Sequence, residues 1–441
     1  MDSRRNLGLD EAVHHAEAAF VAANPGSAAA HERAVSAMPG GNTRTVLHYS
    51  PFPLAFAKGL DSILTDVDGH VYTDFLGEYT AGLFGHSNAV ILGAVKRALE
   101  DGFVMGGPTC IESAFAAAVC TRFPTMQQVR FCNSGTEANL LAFGAARAWT
   151  GRDTFIVLEG CYHGGVLSFG SNNPINAPYK VRKIRLNDIY GACAAIREVG
   201  DQLAAVMLEP MLGGGGGFTA TPEFMAALRT ETSAQGALLM VDEVMTSRLA
   251  PGGLHHALGV EVDLMTLGKY VGGGMSFGAV GGRHDIMERF DPRRADAWGH
   301  AGTFNNNVAT MAGGLAALTE VLTDAVLADL NARGDRLREK LNQAAREAEV
   351  PLIATGRGSI LTYHFSDRPA AAPHELPQVP VGLRVIAHLG LIERGFYSSR
   401  RGFLSLSLPL TDADVDAFVA ATADMLTQNA VLIRSAVAEA A

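Results

Sequence analysis

The chain has 441 residues, of which 48% are hydrophobic and 18% are charged, and its formal net charge is −10. This length and apolar content predict one large domain plus a smaller one, and they exclude extensive disorder. The negative charge and the lack of a Lys/Arg-rich run argue against a nucleic-acid partner. The five cysteines have no CxxC spacing, and no apolar run approaches about 18 residues. We therefore expect a cytoplasmic protein with no membrane segment.

The amino-terminal part predicts helices followed by a β-hairpin. Its elements are helices over 10–23 and 28–37, then strands over 54–57, 62–65 and 72–75. Asp66, Asp68 and Gly69 give a turn signal between the last two strands. The same DVDG string begins like a calcium loop, but the later ligands of a twelve-residue loop are missing, so we prefer the hairpin.

The central part, from Asn88 onward, alternates helices with short apolar strands. The predicted helices cover 89–100, 111–122, 137–149, 189–199, 222–233 and 306–323. The predicted strands cover 129–132, 155–158, 204–208, 238–241, 264–267 and 278–281. This alternation is typical of a mostly parallel central sheet with helices on both faces.

The last part follows a long helix over 325–348 and mixes strands with helices as a separate α+β unit. Its strands are predicted over 360–365 and 403–406, and its helices over 381–393 and 412–427. The sequence thus predicts the start of a small domain at 1–75, a large domain at 76–325 and the rest of the small domain at 326–441. The run Gly213–Gly217 lacks the Lys-Ser/Thr pair of a P-loop, so we interpret it as a flexible turn.

Two neighbouring strands end on residues that carry chemistry. One apolar run stops on Asp242, and the next stops just before Lys269. Open α/β sheets place their sites at the carboxyl ends of strands. A lysine there can hold a carbonyl cofactor as a Schiff base, and an aspartate can pair with a pyridinium nitrogen, as pyridoxal phosphate (PLP) requires. For either residue alone, a helix cap or a solvated lysine would be the simpler interpretation.

Further candidates follow other strands of the same sheet. Ser134, Gly135 and Thr136 lie where a helix begins, and a helix amino terminus can hold a phosphate, although an ordinary Ser/Thr cap gives the same pattern. Tyr162 and His163 follow the next strand, and a flat aromatic side chain there can stack on a pyridine ring. Glu209 also ends a strand, where its carboxylate can orient the cofactor or a water molecule.

The strings NSGTEAN, GCYHGG, LEP, VDEV and TLGKY, in this order over nearly the whole chain, resemble the class III aminotransferases of the fold-type I PLP enzymes. The resemblance implies Lys269 as the Schiff-base lysine, Asp242 on the pyridine nitrogen, and Ser134, Gly135 and Thr136 on the phosphate. It also implies Tyr162, with His163 beside it, over the ring and Val244 behind it. Thr303, in HAGTFNNN, would reach the phosphate of a second subunit, which makes the enzyme a homodimer with its site at the interface.

The string GKYVGGG is similar to the glutamate-1-semialdehyde aminomutase branch of this class. Three further stretches, PGGNTRTVLHYSPFP, VMTSRLAPGGL and FYSSRRGFLSLSLPLTDAD, resemble more closely the aromatic β-amino acid aminotransferases. That resemblance implies Arg44, Arg401 and Tyr79 as substrate residues. We expect Arg44 to hold the carboxylate of the β-amino acid and Arg401 that of the keto acid. Arg400 stands where the subfamily has proline, which leaves open which arginine of the pair turns inward.

The resemblance therefore implies transfer of an amino group from an aromatic β-amino acid to an α-keto acid such as 2-oxoglutarate. Lys269 would move the proton while Asp242 keeps the ring protonated. An aminomutase or another ω-transaminase would share these cofactor residues, and an aminomutase would need no second substrate. A PLP-binding protein without turnover is disfavoured because Lys269 and Asp242 are both present.

Overall fold

The computed structural model describes residues 8–170 and 173–440. The chain forms two compact units, one of residues 8–79, 85–87 and 332–440, and one of residues 80–84 and 88–331. The first unit is therefore built from both chain ends.

Sixteen strands form within the described residues. They are β1 (Phe56–Leu60), β2 (Ile63–Asp66), β3 (Val71–Asp74), β4 (Gln128–Cys132), β5 (Thr154–Leu158), β6 (Lys180–Ile184), β7 (Leu203–Leu208), β8 (Met211–Leu212), β9 (Phe218–Thr219), β10 (Leu238–Asp242), β11 (Leu264–Gly268), β12 (Gly278–Gly282), β13 (Ile353–Arg357), β14 (Ile360–His364), β15 (Phe396–Tyr397) and β16 (Phe403–Ser405).

Fourteen α-helices form within the same described ranges. They are α1 (Leu9–Ala23), α2 (Pro25–Val35), α3 (Ala89–Glu100), α4 (Cys110–Arg122), α5 (Gly135–Thr150), α6 (Ile189–Val199), α7 (Pro222–Ala234), α8 (Leu254–Ala257), α9 (His284–Met287), α10 (Val308–Ala316), α11 (Asp324–Glu347), α12 (Val381–Glu393), α13 (Asp412–Gln428) and α14 (Ala430–Ala438).

The larger unit contains a seven-stranded sheet in the order β4-β12-β11-β10-β7-β5-β6. Of these strands only β12 runs antiparallel to its two neighbours, so the expected mostly parallel sheet is confirmed. Every residue of β7 and β10 is buried, as in strands that are covered on both faces. These two strands bring their carboxyl ends together in the middle of the sheet.

The smaller unit has a four-stranded sheet, β1-β2-β3-β15, and a three-stranded sheet, β13-β14-β16. Strands β2 and β3 pair antiparallel, so the predicted hairpin is confirmed. The Asp66 carboxylate accepts hydrogen bonds from the backbone of Asp68 and His70 within the turn. The Asp68 carboxylate accepts from Gly26 and Ser27 at the start of α2. Both aspartates of the DVDG string are thus used to fix the turn and a helix terminus.

Several elements differ from the sequence prediction. The helix predicted over 306–323 begins at Val308, and a π-helical turn over Ala317–Val321 ends it before α11. The run Gly213–Gly217 forms a turn, as predicted, and it joins β8 and β9, two short antiparallel strands that the sequence did not predict. Strand β6 was not predicted because its sequence, KVRKI, is charged, as suits a strand at the edge of the sheet.

None of the helices in the described ranges is, by itself, both long enough and apolar enough to cross a membrane. The bent pair Val308–Val321 and Asp324–Glu347 meets the criteria of length and composition only when the two helices are taken together.

Candidate active site

Three candidate functional side chains lie at the ends of adjacent strands of the seven-stranded sheet. Asp242 is the last residue of β10, Glu209 comes directly after β7, and Lys269 comes directly after β11. Because β10 lies between β7 and β11 and all three are parallel, these residues share the carboxyl edge of the sheet. That edge is where open α/β sheets bind their ligands.

The Asp242 carboxylate is buried, with 4% of its surface exposed, and is held by three donors. Its Oδ2 accepts hydrogen bonds from His163 Nδ1 at 2.9 Å and from Asn139 Nδ2 at 2.7 Å. Its Oδ1 accepts one from the Val244 backbone at 3.0 Å. Since a carboxylate offers about four acceptor positions, this side chain is fixed and retains capacity for one further donor.

A second layer orients the Asn139 amide. Thr266 Oγ1, on β11, donates to Asn139 Oδ1 at 2.6 Å, and Asn139 Nδ2 also donates to the His163 carbonyl at 2.8 Å. Sequence reasoning assigned no role to Asn139 or Thr266. Both lie within the strings NSGTEAN and TLGKY that carried the resemblance, so the signal was present, but only the fold shows that they meet.

The His163 imidazole is buried beside Asp242. Burial by itself would lower the pKa of His163, but the Cys161 sulfur and the Asp242 carboxylate outweigh it, so this pKa lies well above its usual range. Within the described residues His163 Nε2 has no hydrogen-bond partner. The site therefore contains a buried polar atom that the protein leaves unsatisfied.

Helix α5 begins at Gly135, shortly after β4 ends at Cys132, and therefore at the same edge of the sheet. Ser134 is its N-cap, and Ser134 Oγ accepts from the Glu137 backbone at 3.2 Å. Ser134 therefore does cap the helix, as the simpler interpretation had it. Residues 134–136 remain partly exposed, and the first turn of a helix offers N–H groups and the positive end of its dipole to an anion.

Close packing brings the separate strings into one cluster. A Cβ on Gly135 would lie 2.9 Å from a Val244 methyl, and a Cβ on Gly268 would lie 3.1 Å from the other methyl. A Cβ on Gly164 would overlap the Thr136 side chain, and Gly164 has a φ of +133°. Side chains at these glycines would fill the space beside the start of α5.

Glu209 and Tyr162 come after β7 and β5, so they lie on the other side of β10 from β11 and Lys269. The buried Glu209 carboxylate accepts from the Tyr162 backbone at 3.0 Å and from the Gly213 backbone at 3.1 Å. Burial raises the pKa of Glu209 to about 7. The Tyr162 side chain is 52% exposed, so its ring face is open to a planar ligand.

Lys269 is held in an uncommon backbone conformation. Its φ is +54°, in the left-handed region that a side chain disfavours, and its side chain is half-buried. It opens a short 3-10 turn, Lys269–Gly272, after the extended Gly268. Left-handed residues that are not glycine are concentrated at functional sites.

Thr303 lies in an exposed loop between α9 and α10. The same loop approaches the start of α5, because Asn133 Nδ2 donates to Asn305 Oδ1 at 3.0 Å. Thr303 is thus an exposed residue of the larger unit, the same unit that contains Asp242 and Lys269.

The three predicted substrate residues come together in the smaller unit. The guanidinium groups of Arg44 and Arg401 each lie 5.9 Å from the centroid of the Tyr79 ring. Tyr79 stacks on Phe403 at 5.5 Å, and its hydroxyl donates to Ser399 Oγ at 3.4 Å. We call Arg44, Glu78, Tyr79 and Arg401 the arginine cluster, because Arg44 also forms an ion pair with Glu78.

The structure distinguishes Arg400 from Arg401. Arg401, in the turn closed by the Gly402 to Ser399 backbone hydrogen bond, is the one beside Tyr79. Arg400 instead adds to the positive charge around the buried His388, whose pKa is lowered to about 3 by burial and then by Arg400.

Comparison with known proteins identifies the family of this chain. The model of the class-III aminotransferase family matches residues 46–389. The β-phenylalanine transaminase of Variovorax paradoxus is 46% identical over 97% of this chain and 99% of its own. The crystal structure of that enzyme superimposes with a TM-score of 0.94, covering 96% of this chain and 99% of that one.

This chain belongs to the class-III aminotransferases. Two further relatives support the assignment. A glutamate-1-semialdehyde 2,1-aminomutase of Desulfitobacterium hafniense is 35% identical over 90% of this chain and 97% of its own. A solved transaminase with PLP bound is 30% identical, has a TM-score of 0.85, and covers 95% of this chain and 99% of its own.

PLP is the cofactor of this aminotransferase, and the cluster at the carboxyl edge fits it. The remaining acceptor capacity of Asp242 suits a pyridinium N–H, and the start of α5 suits a phosphate. The unsatisfied His163 Nε2 and the space kept by Gly135 and Gly164 lie in the same cluster. When bound, the cofactor supplies an electron sink for the carbon that exchanges its amino group.

Proposed function

We propose that this aminotransferase moves the amino group of an aromatic β-amino acid, such as β-phenylalanine, to an α-keto acid such as 2-oxoglutarate. The observation that carries the proposal is the pairing of Arg44 and Arg401 around one aromatic ring, each 5.9 Å from its centroid. Two arginines provide one carboxylate partner for each of two acids, since arginine binds carboxylates in a bidentate way. The 46% identity to a β-phenylalanine transaminase supports the same substrate class.

In this proposal Lys269 is the base that moves a proton at the substrate carbon. Asp242 holds the pyridine nitrogen protonated, and the Asn139–Thr266 pair keeps its carboxylate in place. Ser134, Gly135 and Thr136 would hold the phosphate, and the ring would lie between Tyr162, with His163 beside it, and Val244. Glu209, with a pKa of about 7, would orient the phenolic edge of the cofactor or a water molecule.

In the first half-reaction Arg44 holds the carboxylate of the β-amino acid. In the second half-reaction Arg401 holds the α-carboxylate of the keto acid, and in the first it moves aside for the aromatic ring. Arg401 lies on a short turn and is exposed, which suits a side chain that must change place. One binding site thus serves two acids in turn.

The active form is proposed to be a homodimer in which Thr303 reaches the phosphate of the partner subunit. Thr303 is exposed in the single chain, and it lies beside a group of exposed apolar side chains, Phe103, Val104, Met105 and Phe304, with 51–75% of their surfaces exposed. The two loops that carry them are joined by the hydrogen bond from Asn306 Nδ2 to the Gly107 carbonyl. A second copy would remove this apolar surface from water.

Two other expectations remain proposals. A cytoplasmic location agrees with five free cysteines, because disulfides are rare in that compartment. The domain limits 1–75, 76–325 and 326–441 stay a prediction from the sequence.

The test is to mix the purified enzyme with β-phenylalanine and 2-oxoglutarate and to measure glutamate. We expect glutamate and the keto acid product in equal amounts. When 2-oxoglutarate is omitted, no more than one turnover per active site should occur. Product formed repeatedly from one substrate alone would point to the aminomutase activity of the 35% identical relative and overturn the proposal.

A further inference from the structure

The two arginines of the arginine cluster differ in their partners. Arg44 is paired with the Glu78 carboxylate, whereas Arg401 forms no ion pair within residues 8–170 and 173–440. Both side chains of the Arg44–Glu78 pair are open to solvent, with 42% and 49% exposed. Glu78 is therefore paired with the same guanidinium group that is proposed to bind the carboxylate of the β-amino acid.

The backbone holds Glu78 in this place. Gly77, Glu78 and Tyr79 all have positive φ, at 52°, 47° and 52°, and for the two non-glycine residues this conformation is costly. The segment is anchored before it: the Asp74 carboxylate accepts from the backbone of Leu76 at 2.8 Å and of Gly77 at 3.1 Å. A Cβ on Gly77 would also lie 2.8 Å from the Ser405 carbonyl. The fold thus maintains an unfavourable conformation that aims Glu78 at Arg44.

We propose that Glu78 is a positioning and specificity residue that acts as an internal competitor for Arg44. In the absence of substrate the Glu78 carboxylate forms an ion pair with the Arg44 guanidinium. When an acid binds, the carboxylate of that acid replaces Glu78. This inference rests on the proposed function of Arg44.

The energetics of an exposed pair suit such an exchange. A solvent-exposed ion pair contributes only a small free energy, so an acid that adds ring contacts elsewhere can replace Glu78. A simple carboxylate without those contacts gains about as little free energy from Arg44 as Glu78 does, so it displaces Glu78 poorly. The internal carboxylate thus favours acids that also fill the rest of the site.

The test measures binding of 3-phenylpropanoate, which has the ring and the carboxylate but no amine, to the holoenzyme by titration calorimetry. Glu78→Gln keeps the side-chain shape and removes the charge, so we expect its Kd to fall by about two- to fivefold. Glu78→Asn, a second variant suited to a left-handed backbone, should tighten binding in the same direction. Glu198→Gln, which removes the same charge from an exposed pair with Arg182, should leave the Kd unchanged.

Steady-state kinetics give a second readout. In Glu78→Gln the KM for β-phenylalanine should fall in the same proportion with kcat unchanged. The KM for 1-phenylpropan-1-amine, which lacks a carboxylate, should not change. A purely structural role of Glu78 would alter both substrates alike.

The outcomes separate this inference from the proposed function. If Arg44→Ala binds 3-phenylpropanoate as tightly as the wild type, Arg44 is not the carboxylate site and the proposed function fails at that point. If Arg44→Ala weakens binding but Glu78→Gln leaves the Kd unchanged or raises it, Glu78 supports Arg44 rather than competes with it, and the inference is overturned.

Discussion

Charge is handled in opposite ways in two regions: the group of Asp242, His163 and Asn139 at the carboxyl edge of the sheet, which we call the cofactor cluster, and the arginine cluster. In the first, the Asp242 carboxylate is 4% exposed and accepts three hydrogen bonds from fixed donors, one of them oriented in turn by Thr266. In the second, Arg44 and Glu78 are nearly half exposed, and Arg401 sits on a surface turn. The Asp242 carboxylate is thus buried and fixed by hydrogen bonds, whereas the charged side chains of the arginine cluster are open to solvent.

The difference follows from what each region is proposed to bind. A cofactor stays bound through both half-reactions, so its site gains from a single, hydrogen-bonded geometry in a low-dielectric setting. Two different acids must enter and leave the substrate side, and a strongly fixed ion pair there would have to be broken at each exchange. Substitutions in the first region should therefore have large effects on every reaction, and those in the second should have smaller effects that depend on the substrate.

The largest effect is expected at Lys269. Lys269→Ala removes the only group proposed to link the cofactor and to move the proton, so turnover should fall by at least about 10⁴-fold, the upper range for loss of a general base. The visible absorption of the dialysed holoenzyme should also disappear. Lys183→Ala, at an exposed lysine of β6, is the control and should keep both. An unchanged visible spectrum in Lys269→Ala would rule out this assignment.

Asp242→Asn should come next. It keeps the shape of the side chain but removes the charge opposite the pyridine nitrogen, so we expect PLP to stay bound while kcat falls by about 10²- to 10³-fold for both acids. The matched control is Asp263→Asn, a buried aspartate before β11 that pairs with Arg229 and Arg283. That variant should lose stability but keep kcat per folded enzyme. A normal kcat in Asp242→Asn would contradict the comparison.

The raised pKa of Glu209 predicts a pH effect on stability. Its pKa rises from 4.5 to about 7 in the fold, so the folded state keeps a proton that the unfolded state has lost between these values. The contribution of Glu209 is therefore complete below pH 4.5 and is lost as the pH rises through 7. Relative to Glu209→Gln, the wild type should lose about 3 kcal/mol of unfolding free energy over this range. Urea titrations of both proteins across this range measure it, and a constant difference would refute the shift.

Much of the fold was predictable because its signals are local. Helices α3, α6 and α12 match the predicted ranges, since apolar spacing of 3.6 residues defines them and Asn88 and Asp188 cap the first two. The buried strands β7, β10 and β11 were predictable because their sequences are short apolar runs. The edge strand β6 and the π-helical turn at Ala317–Val321 were not predictable, since their sequences carry no apolar pattern that distinguishes them.

The positions of the candidate residues were predictable where each lies at the end of an apolar strand, as for Asp242 and Lys269. The role of a residue was not predictable where it depends on a contact across the fold. Asn139 is separated from Asp242 by 103 positions, and Arg44 from Glu78 by 34. Nothing in the local sequence indicates that an asparagine inside a helix or a glutamate after a glycine will meet those partners.

Smaller and more selective effects are expected at the two arginines, where the account is tested most directly. Loss of a charge-assisted hydrogen bond costs about 1.5–3 kcal/mol, equivalent to roughly 10- to 150-fold in affinity. The measurement is single-turnover absorbance of each half-reaction in Arg44→Ala, Arg401→Ala and the neighbouring Arg400→Ala. We predict that Arg44→Ala weakens mainly the β-phenylalanine half-reaction, Arg401→Ala mainly the 2-oxoglutarate half-reaction, and Arg400→Ala neither. Equal damage to both halves by both variants, or an acceptor defect reproduced by Arg400→Ala alone, would contradict the account.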